Sequence, residues 1–180
     1  MSGYGGCFSY SKSDPRELPF GIGLAIRSRT PLDQMARVEL RSPPVEFACN
    51  GKTKTPTDRI LIGARTRWAG RDPNLFNPHR LAFFTLNSSS EIRGSQLTLI
   101  ADQLRLVSGP TLLAGDFNVS RHESLVAQLA PRGFVSAQTT EPTWWRKPFL
   151  LGRLFPERGA ALHRFARLAH GRFGPPRAGG

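Results

Sequence analysis

The stretch Thr111-Leu112-Leu113-Ala114-Gly115-Asp116-Phe117-Asn118 decides how this chain is read. Thr111–Ala114 is a short apolar strand, closed by a glycine and followed at once by Asp116 and Asn118. An apolar strand running into Gly-Asp-x-Asn sets two polar side chains at its carboxyl end, where layered α/β enzymes collect ligands. The same residues also compose an ordinary strand-ending turn. The surrounding sequence has to separate the two readings.

Before this stretch the apolar residues Leu97, Ile100, Leu104 and Val107 fall three, four and three apart, one face of a helix that Gly109-Pro110 stops. After it, Ser120-Arg121-His122-Glu123 has the form of a capping box, in which serine and glutamate satisfy the free amides of a helix start. Leu125, Val126 and Leu129 supply that helix's apolar side, and Pro131-Arg132-Gly133 ends it. Nearer the N-terminus the period is two. Gly21–Arg27 alternates Ile22, Leu24 and Ile26 with small or basic residues until Pro31, and Arg59–Thr66 carries Ile60, Ile62 and Ala64 on one face. Val38–Leu40 is a short strand candidate, Cys49–Thr57 reads as a polar hairpin loop, and Leu81–Leu86 is a continuous apolar run read as buried. Strands followed by alternating helix and strand predict a layered α/β domain.

The chain has 180 residues and a formal charge of +12, from 25 basic and 13 acidic residues. Positive charge of this size points to a polyanionic partner, but residues 146–180 carry a net +7 and leave only +5 for residues 1–145. The expected organisation is a domain over 1–145 and a basic Arg/Gly/Pro-rich tail over 146–180. Within the tail, Gly159–Arg172 has an amphipathic helical pattern through Leu162, Phe165 and Leu168, but its Gly, Pro and repeated charge favour poor order. No run approaches the ~20 apolar residues that span a bilayer, and the first residues lack the basic and apolar blocks of a signal peptide. Cys7 and Cys49 stand alone without zinc-site spacing, which fits a reducing compartment; a cytoplasmic location is expected.

Four segments in order change the odds on Gly-Asp-x-Asn: Gly23-Leu24-Ala25-Ile26-Arg27-Ser28-Arg29-Thr30-Pro31-Leu32, Asn77-Pro78-His79-Arg80, Arg93-Gly94-Ser95-Gln96, and Gly115-Asp116-Phe117-Asn118. Together they resemble the endonuclease/exonuclease/phosphatase family, the deoxyribonuclease I-like hydrolases, over about residues 20–145. The resemblance implies part of a four-layer sandwich, two packed mixed β-sheets flanked by helices. It implies Mg²⁺- or Mn²⁺-dependent hydrolysis of a phosphoester, nucleic acid among the substrates. By the same likeness Asp116 orients and deprotonates the attacking water, Asn118 donates a hydrogen bond to a phosphate oxygen, and His79 contacts the scissile phosphate. Such chemistry needs an oriented water and donor or positive groups on the developing charge.

The chain also departs from the pattern. The family's metal-binding Glu precedes the first of these segments, and nothing here matches it; Glu17 reads as a loop residue. No Asp follows Asp116, so the family's late Asp and Ser-Asp-His are unmatched, and neither His163 nor His170 has a carboxylate neighbour in sequence. Asn77-Pro78-His79-Arg80 carries Pro and Arg where the family has Thr and Leu. That leaves Asp116 as the one candidate metal ligand, and the expectation is an incomplete member, truncated or frame-altered, with weak or no hydrolysis. The alternative reading is a non-catalytic basic nucleic-acid-binding protein.

Overall fold

The computed structural model describes residues 3–11, 23–49, 51–81, 90–119, 122–137 and 163–167. In chain order these form β1 (Gly5–Tyr10), β2 (Gly23–Ser28), β3 (Leu32–Leu40), β4 (Phe47–Cys49), β5 (Lys52–Lys54), β6 (Arg59–Thr66), β7 (Asn74–His79), α1 (Ser90–Arg105), β8 (Thr111–Gly115), α2 (His122–Leu129), β9 (Phe134–Ser136) and β10 (His163–Arg167). A short 3-10 turn, Ala130–Arg132, joins α2 to β9 through Gly133 in the left-handed region.

Six strands make one mixed sheet in the order β3-β6-β7-β8-β10-β9, and β1 and β2 make a second, two-stranded antiparallel sheet. Among the described strands only the β7–β8 pair is parallel, and α1 supplies its crossover. Alternation along β6 then decides the layers. Leu61 lies opposite Val38 and Pro78, and Phe76 lies opposite Gly63 and beside Leu113, so these residues share one face. That face packs on Leu97, Ile100 and Leu104 of α1 and Leu125 and Leu129 of α2, with Phe117 and Phe134 completing the core. Ile60 and Ile62, both buried, point the other way.

On that second face sits the β1–β2 sheet. Leu24 and Ile26 are among its half-buried residues, and polar stitches hold it in place. Asn77 Nδ2 donates to the Ala25 carbonyl at 3.1 Å, the Arg37 guanidinium to the Tyr10 carbonyl at 2.9 Å, and Thr66 Oγ1 to the Pro31 carbonyl at 2.9 Å. Helices, a six-stranded sheet and a smaller sheet are the expected part of a four-layer sandwich. The outer face of β1–β2 is exposed and aromatic. Phe8 and Tyr10 meet edge to face there, and the Arg27 and Arg29 guanidiniums lie over the Tyr4 ring.

Other details come from the structure alone. Leu112 and Leu113 alternate across β8: Leu113 is buried under the helices, whereas Leu112 is 41% exposed on the opposite face. The strand that ends in the histidine is Asn74–His79; of the apolar run after it, Leu81 is buried, and residues 82–86 lie outside the described residues. Helix α1 begins at Ser90, ahead of its first apolar residue. The Cys49–Thr57 loop contains the tip of the β4–β5 hairpin, with Gly51 at φ +72°. Ser120 of the capping box is not among the described residues.

Within the segment expected as a basic tail, His163–Arg167 form β10, inserted between β8 and β9. The sequence His-Arg-Phe-Ala-Arg alternates with period two as well as it fits a helix, and local pattern alone cannot separate the two. The remainder of 146–180 lies outside the described residues.

Candidate active site

The ends of β7 and β8 build the site. Their parallel ladder runs through Phe76 opposite Leu113 and then breaks, because Pro78 has no N–H to give. Gly115 packs directly on Pro78. A Cβ at Gly115 would stand 2.2 Å from the Pro78 carbonyl oxygen, so only glycine allows this approach. Past the break the strands rejoin. His79 pairs with Asp116, and the Arg80 N–H donates to the Asp116 carbonyl at 2.9 Å. Pro78 thus interrupts the ladder without carrying His79 away from Asp116.

The three residues singled out by sequence come together at this point. His79 Nε2 is 3.8 Å from Asp116 Oδ2, beyond hydrogen-bond length but within reach of one shared group. Asp116 Oδ1 accepts the Asn118 backbone N–H at 2.9 Å, closing a side-chain-to-backbone turn. Asn118 has φ +48°, a left-handed conformation that asparagine tolerates better than most residues. Its side-chain amide donates to the Arg80 carbonyl at 2.8 Å.

Electrostatics around the pair are positive. Burial, with the Arg59 cation near, pushes the His79 imidazole down to about 4, against an opposing pull from Asp116. His79 is therefore neutral at neutral pH, and the 3.8 Å approach is no ion pair there. Arg80 is only 4% exposed; its guanidinium donates to the Arg93 carbonyl in the first turns of α1. Burial and Arg93 lower the Arg80 pKa to about 10, which leaves it charged. Arg93 Nη1 reaches the Asn118 carbonyl at 3.5 Å.

Two supports were not legible as such in the sequence. Gln96 is buried, accepts the Leu81 N–H at 2.9 Å, and donates to the Leu40 and Arg41 carbonyls at 3.1 Å each, pinning α1 to the chain after β7 and to the end of β3. Its place in Arg93-x-x-Gln96 was the only signal. Arg80 stood in the sequence as a departure from a pattern, and nothing there marked it as buried. Register also sets His163 opposite Gly115, one position from Asp116.

The donors here do not fit a hard divalent cation. Mg²⁺ takes about six oxygens in near-octahedral array. Among the described residues no three His, Cys, Asp or Glu side chains cluster, and one Asp116 oxygen already holds the Asn118 amide.

No family model matches the chain, and no curated protein does. Solved structures match its fold. An endonuclease/exonuclease/phosphatase family protein from Leptotrichia buccalis is similar at 14% identity, over 92% of this chain and 61% of its own, with TM-score 0.56. A mannosyl-6-phosphatase from Bacteroides thetaiotaomicron matches at 17% identity, over 93% and 64%, with TM-score 0.60. D. rerio TDP2 complexed with a single-strand DNA product matches at 18% identity, over 97% and 65%, with TM-score 0.61. The chain thus carries the endonuclease/exonuclease/phosphatase fold, and it spans about three fifths of the length of these structures.

Proposed function

We propose that the chain is a phosphoester-hydrolase domain in which His79, Asp116 and Asn118 meet the phosphoester. The observation that supports this best is the 3.8 Å approach of His79 to Asp116 at the ends of two neighbouring parallel strands. Asp116 Oδ2, the oxygen not bonded to Asn118, takes a proton from water as the water oxygen bonds to phosphorus. The phosphorus–oxygen bond to the leaving alcohol breaks with its electron pair, and the alcohol takes a proton from solvent. His79, uncharged at neutral pH, donates an N–H to a non-bridging oxygen, and the nearby arginine cations favour the anion. A divalent metal belongs to this chemistry by family likeness, but the described donors do not hold one, and no step is assigned to it. With one carboxylate at work, hydrolysis is expected to be slow or undetectable, since losing positioned acid–base groups costs about 10²–10⁴-fold. A cytoplasmic location is part of this proposal, resting on the two isolated cysteines.

The test is purified protein on a chromogenic bis-phosphate ester with Mg²⁺ or Mn²⁺, and inorganic phosphate binding by calorimetry. Phosphate binding weakened about tenfold in His79→Ala, with any turnover lost in Asp116→Ala, supports the reading. Phosphate affinity equal in wild type and His79→Ala refutes it.

A second reading, binding of single-stranded nucleic acid, draws on a different surface. Exposed Phe8 and Tyr10, beside Arg27 and Arg29 over Tyr4, combine stacking faces with phosphate-neutralising cations. Residues 146–180 add a net +7. Affinity for an oligonucleotide that falls steeply with salt and drops in Arg27→Ala/Arg29→Ala supports it. Salt-independent or absent binding removes it.

A further inference from the structure

We infer that the turn joining β6 to β7 is a non-catalytic docking point for single-stranded nucleic acid, with Trp68 as the platform on which a base stacks. This rests on the nucleic-acid reading for the class of partner, and it adds an element which that reading does not use. The turn is built to hold Trp68 outward. The β6–β7 register continues without a slip beyond Arg65 opposite Asn74: the Thr66 N–H donates to the Pro73 carbonyl at 3.1 Å, and Trp68 and Arg71 exchange N–H···O bonds at 2.8 and 3.0 Å. Between them Ala69 and Gly70 both have positive φ, +51° and +71°, the two-residue turn whose twist matches its strands. Asparagine or glycine takes the Ala69 conformation more readily, and the paired Trp68–Arg71 bonds keep alanine in it. Trp68 is 66% exposed at this fixed tip, so a stacking base has only two side-chain torsions to order.

Alternation sets the surroundings. Ile60 and Ile62 point to the β1–β2 side of the large sheet, Thr66 continues that row, and Trp68 follows with its cross-strand partner Arg71. Thr66 Oγ1 meets Thr30 Oγ1 at 2.5 Å and donates to the Pro31 carbonyl, which ties the turn to the end of β2. That end carries Arg27 and Arg29, whose guanidiniums lie over the Tyr4 ring. On the other side of the turn Arg65 and Arg67 share Asp72, at 3.5 and 3.4 Å, so residues 65–72 hold three arginines against one acid. The cations at this end are arginines, whose planar fork grips phosphate with two bonds and also stacks on rings. An exposed ring among such cations meets the two needs of a single strand, a face for an unpaired base and charge for its backbone. A turn that enters lipid would set aliphatic side chains beside the tryptophan, and Ala69 and Gly70 supply none. The reacting pair lies at the opposite end: Ile60 pairs with His79, and at about 3.3 Å per residue Trp68 stands about 26 Å farther along the chain.

The experiment follows the fluorescence anisotropy of a labelled oligodeoxythymidylate of about 15 nucleotides as the full chain is added. Trp68→Ala should weaken binding about 5- to 150-fold, the span of one base–aromatic stack. Trp68→Phe keeps a ring and should recover most of that loss; a Phe variant as weak as the Ala variant would overturn the inference. Affinity unchanged in Trp68→Ala would also overturn it and leave the nucleic-acid reading standing. A loss in Trp68→Ala with none in Arg27→Ala/Arg29→Ala would uphold the inference and remove the β1–β2 face from that reading. No binding by the wild type refutes both. The Trp68→Ala loss should be confined to single strands, and an equal loss on a duplex of the same length would exclude base stacking and overturn the inference. Binding to phosphatidylserine vesicles in place of the oligonucleotide would overturn it in favour of a lipid surface. Inorganic phosphate affinity should be equal in wild type and Trp68→Ala, and a fall in the variant would refute a docking point separate from the reacting pair.

Discussion

Replacing Gly115 by alanine should damage this protein more than any other glycine-to-alanine change in its sheets. The added Cβ would lie 2.2 Å from the Pro78 carbonyl oxygen, 2.7 Å from its Cδ and 2.8 Å from its nitrogen. Carbon and carbonyl oxygen normally keep about 3.3 Å or more, so the shortfall is about 1 Å. All three obstructing atoms belong to a backbone or to a ring fused to it, and none can rotate away. The end of β8 must therefore retreat from β7 by about that distance. The 2.9 Å bond from the Arg80 N–H to the Asp116 carbonyl then stretches beyond hydrogen-bond length. Overpacking costs about 1–3 kcal/mol and the lost bond about 1 kcal/mol, or about 2–4 kcal/mol together. For a chain of this size that is a fall in Tm of about 5–15 °C. Two other glycines calibrate the result. At Gly63 the Cβ meets the Phe76 ring at 2.7 Å, a side chain that can tilt, so a smaller loss of about 1–2 kcal/mol is expected. At Gly94, on the exposed side of α1, nothing lies within 4 Å, and alanine should stabilise by up to about 1 kcal/mol. The assay is urea denaturation of the three variants followed by circular dichroism. A Gly115→Ala protein no less stable than Gly63→Ala would refute the reasoning, because it would mean that β8 does not lean on Pro78.

The folded state holds His79 near 4 against 6.5 for the free side chain, so the unfolded chain takes the proton first as pH falls. Stability should therefore drop between about pH 6.5 and 4, by about 3 kcal/mol at most, and this part of the slope should vanish in His79→Gln; equal slopes in the two proteins would refute it. Gln96→Ala leaves the Leu81 N–H and the Leu40 and Arg41 carbonyls without their partner. Its expected cost is about 2–4 kcal/mol in denaturant midpoint, and a loss under about 1 kcal/mol would mean that water or another group takes over. Millimolar Mg²⁺ should move the Tm by less than about 1 °C, since binding to the native state must raise it and the described donors do not suit the ion. A rise of several degrees would contradict that account of the donors.

The sequence by itself determined the layered α/β class, the strand Arg59–Thr66, the strand before Gly-Asp-x-Asn and the two helices, because periodicity is a local property of side chains. It also singled out His79, Asp116 and Asn118 as residues to be brought together, through short ordered segments with a known likeness. Tertiary structure decided what no local pattern holds. Leu112 and Leu113 are equally apolar, yet register sends one under the helices and leaves the other exposed. Asn74–His79 contains Asn and Pro and does not read as a strand; it becomes one because β6 and β8 flank it and accept its ladder on both sides. His163–Arg167 suits a helix or a strand, and the free edges of β8 and β9 settle it. Glycine at position 115 looks like a turn residue in the sequence, whereas its need comes from Pro78, distant in the chain and in contact through the parallel pairing. Arg80 shows the same limit: its burial follows from α1 closing over the end of β7, a contact between elements that neither encodes alone.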